Sequence, residues 1–332
     1  METIKQNLNV KTVPKKFNLN TALQVCYGKH HRAGWSYALK SLQPLHSDRG
    51  IFVDGFIEKK FAWGSDPGDR YNNPYPYREP WVGFIHCPPN MPTWFRFENS
   101  PQRIFQTDIW KQSLEYCYGL FCLSKYHKKW LEQYLDIPII NLLHPTAMPN
   151  KQFSMTKFLN NPKPKIIQIG WWLRKLHSIY YVPVQKFQKA ILLSQEHIND
   201  LWEQEKHLFL LKPNYQSVQK IQYLSNNSYD DLLSKNIVYL DLYDSSANNT
   251  LVECIARATP VFVNPLPAVT EYLGTEYPLY FRSWEELNQK MNEDALINQA
   301  HHYLQELANT KLFSIKFFLQ TILNSNIYAY IK

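Results

Sequence analysis

A pair of parallel-sheet α/β domains is the architecture this chain implies, and three observations point to it. Apolar, strand-like runs alternate with helix-like ones through both halves, the pattern of successive βαβ units. A polar stretch at 146–165, punctuated by Pro149, Pro162 and Pro164, interrupts the alternation midway and reads as an interdomain linker. The length of 332 residues suits two domains. With 45% hydrophobic and 19% charged residues the chain can bury two cores, which excludes a disordered or fibrous protein.

Taken in order, residues 1–20 are polar and read as an N-terminal arm. Residues 21–27 (TALQVCY) read as a strand, 34–46 as a helix and 50–53 as a short strand ending at Asp54. The segment 58–79, centred on DPGDRYNNPYPY, has turn chemistry. A strand at 81–86 (WVGFIH) precedes Pro88, Pro89 and Pro92. Helix, strand, helix and strand follow at 107–117, 119–123, 125–135 and 138–142. After the linker, KIIQI at 165–169 is a strand running into Gly170, and 175–206 reads as helical or irregular. A short apolar run covers 208–211. A helix at 229–234, a strand at 236–240, a helix at 249–258, a strand at 261–263, a short helix at 268–273 and a strand at 279–281 complete the alternation. Helical stretches at 284–293, 296–308 and 312–328 end the chain.

Several chemistries are excluded by what is missing. The ten glycines include no GxG pair, so the dinucleotide fingerprint and the phosphate loop of P-loop NTPases are both absent. No HExxH or GxSxG motif occurs, and no Asp-rich loop or cysteine pairing suits a metal, so neither metal nor cofactor is expected. The five cysteines sit mostly in apolar runs and read as reduced thiols of a cytoplasmic protein. The N-terminus lacks the apolar core of a signal peptide, and no run reaches the roughly 18 apolar residues of a spanning helix. The net charge of +8 is uneven: residues 1–150 carry 18 Lys and Arg against 12 Asp and Glu. A basic half suits an anionic acceptor or peripheral contact with the inner face of a membrane. Basic residues are scattered and match no nucleic-acid module, so nucleic acid is not the expected partner.

The most informative stretch is 241–274, DLYDSSANNTLVECIARATPVFVNPLPAVTEYLG. A strand ends near 241–243, a Ser/Ala/Asn loop follows, and Asn248 or Asn249 caps a helix whose apolar face carries Leu251, Val252, Ile255 and Ala258. A helix N-terminus directly after a parallel strand offers free N–H groups and a favourable dipole to a phosphate. Glu253, one turn inside, is placed to meet a ribose. A solvated helix face with a simple cap is the plainer interpretation.

This stretch resembles the donor-binding signature of GT-B glycosyltransferases, especially the retaining family 4 group, in which two Glu residues are separated by seven positions and followed by Ala-x-x-x-Gly-Thr-Pro-Val. ECIARATPVFVN matches its second half, with Glu253 as the second Glu, which holds the nucleotide ribose. Ser245 stands at the place of the first Glu, with Asp244 one position away, and Ala258 replaces the glycine. The resemblance implies two Rossmann-like domains facing across a cleft: a domain at 21–145 for the acceptor, a linker at 146–164, a nucleotide-sugar domain at 165–310 and a C-terminal helix at 311–332 that returns to the first domain. It implies a metal-independent glycosyltransferase that carries a sugar from a nucleotide-sugar donor to a glycan or other hydroxyl acceptor, in polysaccharide biosynthesis. The donor site would use Gly170, Arg174, Lys175, Lys212, Asn249, Thr250 and Glu253, because a departing diphosphate needs cations and N–H dipoles.

On the acceptor side, His86 at the end of its strand is placed to position or deprotonate a hydroxyl, with Asp54 as an alternative base and Asp244 near the sugar. His30, His31 and Arg32 follow the first strand and are candidates for contact with phosphate or acceptor. Two rivals stand beside this reading: a nucleotide-sugar epimerase on the same fold, and a non-catalytic glycan-binding or scaffold protein, which the missing first Glu favours.

Overall fold

The computed structural model of the chain describes residues 16–19, 34–62, 75–193, 198–209, 213–222 and 224–331. The strand expected at 21–27, the DPGD turn at 66–69, and the candidates His30, His31, Arg32 and Lys212 lie outside these residues.

Ten described strands form two five-stranded sheets, each wholly parallel. The first holds β1 (Phe17–Asn18), β2 (Ile51–Asp54), β3 (Trp81–Phe84), β4 (Cys117–Cys122) and β5 (Ile139–Asn141), ordered as numbered. The second holds β6 (Lys165–Ile169), β7 (Gln188–Leu192), β8 (Val218–Ile221), β9 (Ile237–Leu240) and β10 (Val261–Val263), in the order β10-β9-β6-β7-β8. All four residues of β3 and of β9 are buried, as strands covered on both faces must be, and this explains their unbroken apolar runs. The chain enters the second sheet at its centre on β6, runs outward to β8, and returns to β9 on the other side. The connections that leave β6 and β9 lead to opposite sides of the sheet, which makes this the topological switch point. Ligands of open α/β sheets bind at such a point.

Separate cores serve the two sheets. One spans Phe153 to Phe313 around β6, β9 and β10. Two others cover the faces of the first sheet. The core on one of those faces includes Phe318, Leu319, Ile322, Ile327 and Tyr328 from the last two helices, Ile315–Leu323 and Asn326–Tyr330. Phe17 packs edge-on against Tyr328 at 5.1 Å. At Gly119 a Cβ would stand 2.6 Å from Ile327 Cδ1, so only glycine lets this helix seat. The outgoing and returning crossings run side by side, joined by Thr146 N to Phe313 O at 2.9 Å.

The structure corrects several local expectations. Phe17 and Asn18, inside the presumed arm, pair with Ile51 and Phe52. Residues 175–206 contain β7, whose exposed Gln188 and half-buried Lys189 break its apolar run; Lys189 Nζ reaches the Tyr180 carbonyl. The edge strand β8 exposes Gln219 and Lys220 and so carries no apolar signal. Residues 279–281 make only an isolated bridge, Tyr280 to Val263, in place of a strand. The last helix is interrupted at Asn324, and Ser325 caps a new one through Tyr328 N.

Candidate functional site

The exits of β6 and β9 are joined through Arg174. As the chain leaves β6, Gly170 takes a φ of +76°, and the Arg174 guanidinium packs against it: a Cβ there would lie 3.3 Å from Nη2. Nε of Arg174 donates to the Ile169 carbonyl (3.2 Å) and Nη1 to that of Trp172 (2.6 Å). Nη2 donates to Asn248 Oδ1 and Thr250 Oγ1, both at 3.1 Å. Burial lowers this guanidinium to about 10. The loops are further stitched by Lys175 N to Asp241 O (2.8 Å) and Tyr243 N to Leu173 O (2.9 Å). Arg174 thus fastens the exit of β6 to the start of the helix Asn249–Arg257.

That helix begins with Asn248 as its cap, whose side chain accepts from Leu251 N at 3.1 Å. Asn249 is exposed and Thr250 buried. Glu253, one turn in, accepts from Tyr229 OH at 2.6 Å, with Arg257 Nη1 4.0 Å away. Lys175 Nζ lies 2.8 Å from Asp241 Oδ1 and keeps 35% of its side-chain surface exposed. The structure thus brings Gly170, Arg174, Asn248 and Thr250 together, while Lys175 pairs with Asp241 and Glu253 with Tyr229.

On the opposite side His86 follows β3. Its ring stacks on Phe56 at 4.2 Å and meets the edge of Trp35 at 4.4 Å. Its Nδ1 faces Glu58 Oε2 at 3.4 Å. Among the described residues His86 Nε2 is buried without a hydrogen-bond partner. Asp54 is engaged otherwise: Oδ1 accepts from Phe56 N and Oδ2 from Tyr77 OH, both at 2.9 Å. Burial pushes its carboxyl up to about 6. The structure pairs His86 with Glu58 and places Asp54 in a separate hydrogen-bonded turn.

The carboxyl ends of the two sheets meet. Asp244, after β9, crosses to the first domain: Oδ2 accepts from Asn90 N (2.8 Å) and Tyr126 OH (3.0 Å), while Oδ1 accepts from Ser245 N (2.8 Å). Burial raises its carboxyl, against these bonds. Glu271 caps the helix Lys125–Leu131 from the other domain, accepting from Lys125 N (2.6 Å) and Tyr126 N (2.5 Å), while Ser124 accepts from His127 N (3.1 Å). His127 Nδ1 lies 2.9 Å from Ser246 Oγ, and Tyr272 OH donates to the Leu123 carbonyl at 2.8 Å. An apolar cluster of Cys87, Met91 and Phe95 with Leu173, Leu176 and Leu201 fills the seam beside them.

Glu58, Tyr126, Asn90 and Glu271 carry no signal in the sequence that marks them for the site. Glu58 lies in a charged EKK run that resembles a solvated helix face, and its partner is 28 residues away. Among the described residues no group of three or more His, Cys, Asp or Glu is disposed to hold a metal ion. None of the described helices is long and apolar enough to cross a membrane. Cys87, Cys117, Cys122 and Cys254 are free and buried.

Two parallel α/β sheets meeting at their carboxyl ends, with the terminal helices returning to the first domain, give the chain the GT-B glycosyltransferase fold. Among solved structures it is similar to TarM, with 12% identity, a TM-score of 0.56 and 87% of this chain covered. A mutant of S. aureus TarM in complex with fondaparinux, α-GlcNAc-glycerol and UDP gives 13%, 0.55 and 87%. The trehalose-6-phosphate synthase OtsA gives 10%, 0.54 and 86%. The matches cover 57%, 58% and 75% of those chains respectively, so this chain spans little more than half the length of TarM. No family model matches the chain, and no curated protein matches it.

Proposed function

We propose that the protein is a glycosyltransferase that moves a sugar from a nucleotide-sugar donor to a hydroxyl acceptor without a divalent metal. The observation that carries this reading is the β6–β9 switch point, where Arg174 ties the exit of β6 to the N-terminus of Asn249–Arg257 and the next residue, Lys175, keeps a partly exposed ammonium paired with Asp241. The donor diphosphate meets the helix N–H groups and the Lys175 ammonium, which offset the charge that grows as the leaving group departs. Glu253, braced by Tyr229, binds the ribose hydroxyls. Arg174, with four hydrogen bonds to the protein, orders the two exits instead of acting as a free counter-charge. His86, across the seam, serves the acceptor. The bound UDP in the TarM complex and the UDP-forming trehalose-phosphate synthase of Burkholderia vietnamiensis, 9% identical with a TM-score of 0.51, support this class of donor.

Calorimetric titration with UDP, GDP, ADP, CDP and dTDP and their sugars tests the reading. One nucleotide class binds wild type, and Lys175→Ala and Glu253→Gln each weaken it about tenfold, one charge-assisted contact in each case. EDTA leaves the affinity unchanged. A folded wild type that binds none of these ligands overturns the donor site. A second reading, a non-catalytic glycan-binding protein, is favoured by Asp244: the acid nearest the first-Glu position is held by three hydrogen bonds as an interdomain brace. It requires glycan binding with no nucleotide binding.

A further inference from the structure

The second sheet carries a pocket at the end opposite its switch point. It lies between the segment leading into β7 and the start of β8, at the outer edge of the sheet, and has a volume of about 650 Å³. Small-molecule sites in proteins span about 300–1,000 Å³. Val182, Pro183, Val184 and Phe187 form an apolar wall, and Val182 and Phe187 belong to the core, so the wall is fixed. Gln188, Gln216, Ser217 and Gln219 form a polar rim. Gln188 opens β7, and Gln216 and Ser217 directly precede β8, which runs parallel to it with Gln219 opposite Ala190. The polar groups therefore gather at the amino ends of the strands. The five residues of β7 set them about 13 Å from its carboxyl end, the side of the sheet that meets the first domain.

The hydrogen-bonding capacity of this rim is largely unspent. Among the described residues the exposed side-chain amides of Gln216 and Gln219 have no partner. Gln188 Oε1 accepts from Lys165 Nζ at 3.3 Å, which leaves its NH₂ group open. Ser217 Oγ donates to the Asn214 carbonyl at 2.6 Å and keeps lone pairs that can accept. Charge, in contrast, is already committed. Among the described residues Lys189 is the only charged group in the lining, and its Nζ donates to the carbonyls of Tyr180 (2.6 Å) and Val182 (3.4 Å). The neighbouring Lys186 is paired with Asp294. Amides and a hydroxyl on one side, an apolar wall on the other and no uncommitted charge suit an uncharged ligand with adjacent hydroxyls and one apolar face. A carboxamide can donate to one of two adjacent hydroxyls and accept from the other. A pyranose ring has both features, hydroxyls around its rim and C–H bonds on its face.

We propose that this pocket binds an uncharged oligosaccharide, at a site separate from the chemistry at the domain seam. The inference goes beyond the glycosyltransferase reading and does not depend on it. In a transferase such a site grips the glycan chain away from its reacting end and raises the local concentration of acceptor ends.

Titration calorimetry of the full chain with maltohexaose, cellohexaose and chitohexaose, with hexagalacturonate as a charged control, tests the assignment. Wild type binds a neutral hexasaccharide saturably and in preference to hexagalacturonate. The double variant Gln216→Ala/Gln219→Ala removes two exposed amides that hold nothing in the fold. It weakens that binding about tenfold or more, with melting point and nucleotide affinity unchanged. Undiminished binding in the double variant overturns the proposal, as does a preference for hexagalacturonate or a wild type that binds none of the three neutral sugars. The two readings fail separately. A wild type that binds a hexasaccharide but no nucleotide removes the donor site and keeps this one, whereas nucleotide binding without hexasaccharide binding removes this site alone.

Discussion

His127 and His144 show how burial, as the largest of several influences, sets the chemistry of a residue. Each ring is enclosed near the domain seam, and loss of water lowers it from 6.5 to about 3 in His127 and about 4 in His144. The sign of the stability effect follows from proton counting. Below about pH 6.5 the unfolded chain binds a proton at each position that the folded chain does not, so the contribution to stability falls as pH drops toward the folded values. Each histidine is worth about 1.4 kcal/mol per pH unit in that window. Asp54 acts in reverse, because its folded value of about 6 lies above the unfolded 3.8. A difference measurement separates these groups. Between pH 6 and pH 4, urea unfolding of wild type should lose about 1.4 kcal/mol per unit more than His127→Gln. Parallel pH profiles for the two proteins would show that His127 is protonated in the folded state.

At the scale of elements, the helix Asn249–Arg257 carries the candidate donor site and ends on Ala258, whose φ of +51° lies in the left-handed region. Glycine is the usual residue there. An alanine in this conformation costs about 1 kcal/mol. Its methyl group, 1% exposed, returns about 0.8 kcal/mol by burial. The two terms nearly cancel, so Ala258→Gly should move the unfolding midpoint by less than about 2 °C. Ala258→Val, with a branched side chain in the same conformation and no room around it, should cost more than about 2 kcal/mol. Differential scanning calorimetry of the two variants checks the balance, and a strong stabilisation by glycine would show that the methyl contributes nothing. The same element shows why an imperfect sequence motif can still make its structure: the left-handed turn forms without its glycine because the buried methyl offsets the strain.

For the molecule as a whole, the contacts that join the domains are polar and concentrated. Asp244 reaches Asn90 and Tyr126, Glu271 caps Lys125–Leu131, Arg96 meets Asp200 at 2.9 Å, and the apolar cluster lies beside them. These contacts hold the carboxyl ends of the two sheets together. Replacing Asp244 and Glu271 together by alanine removes four interdomain hydrogen bonds, all to carboxylates. Small-angle scattering of that variant should give a larger radius of gyration with unchanged far-UV circular dichroism, and its melting point should fall by about 5–10 °C. An unchanged radius would show that the apolar cluster and the returning helices hold the domains without these acids.

Much of this molecule is legible residue by residue. The buried strands β3, β6 and β9, the Asn248 and Ser124 caps, and the helix start at Asn249 follow from short-range patterns, because a strand or a cap is specified by its immediate neighbours. The edge strand β8 is hidden because edge strands bury little, and β7 because a half-buried Lys189 interrupts it. The roles of individual polar residues are settled at longer range. Arg174 meets Asn248 across 74 positions, Glu58 meets His86 across 28, and Asp244 meets Asn90 across 154. A charged side chain looks the same in sequence whether it faces a ligand, braces a loop or clamps two domains. Burial forces each such group to find a partner, and only the packed chain brings that partner within about 3 Å.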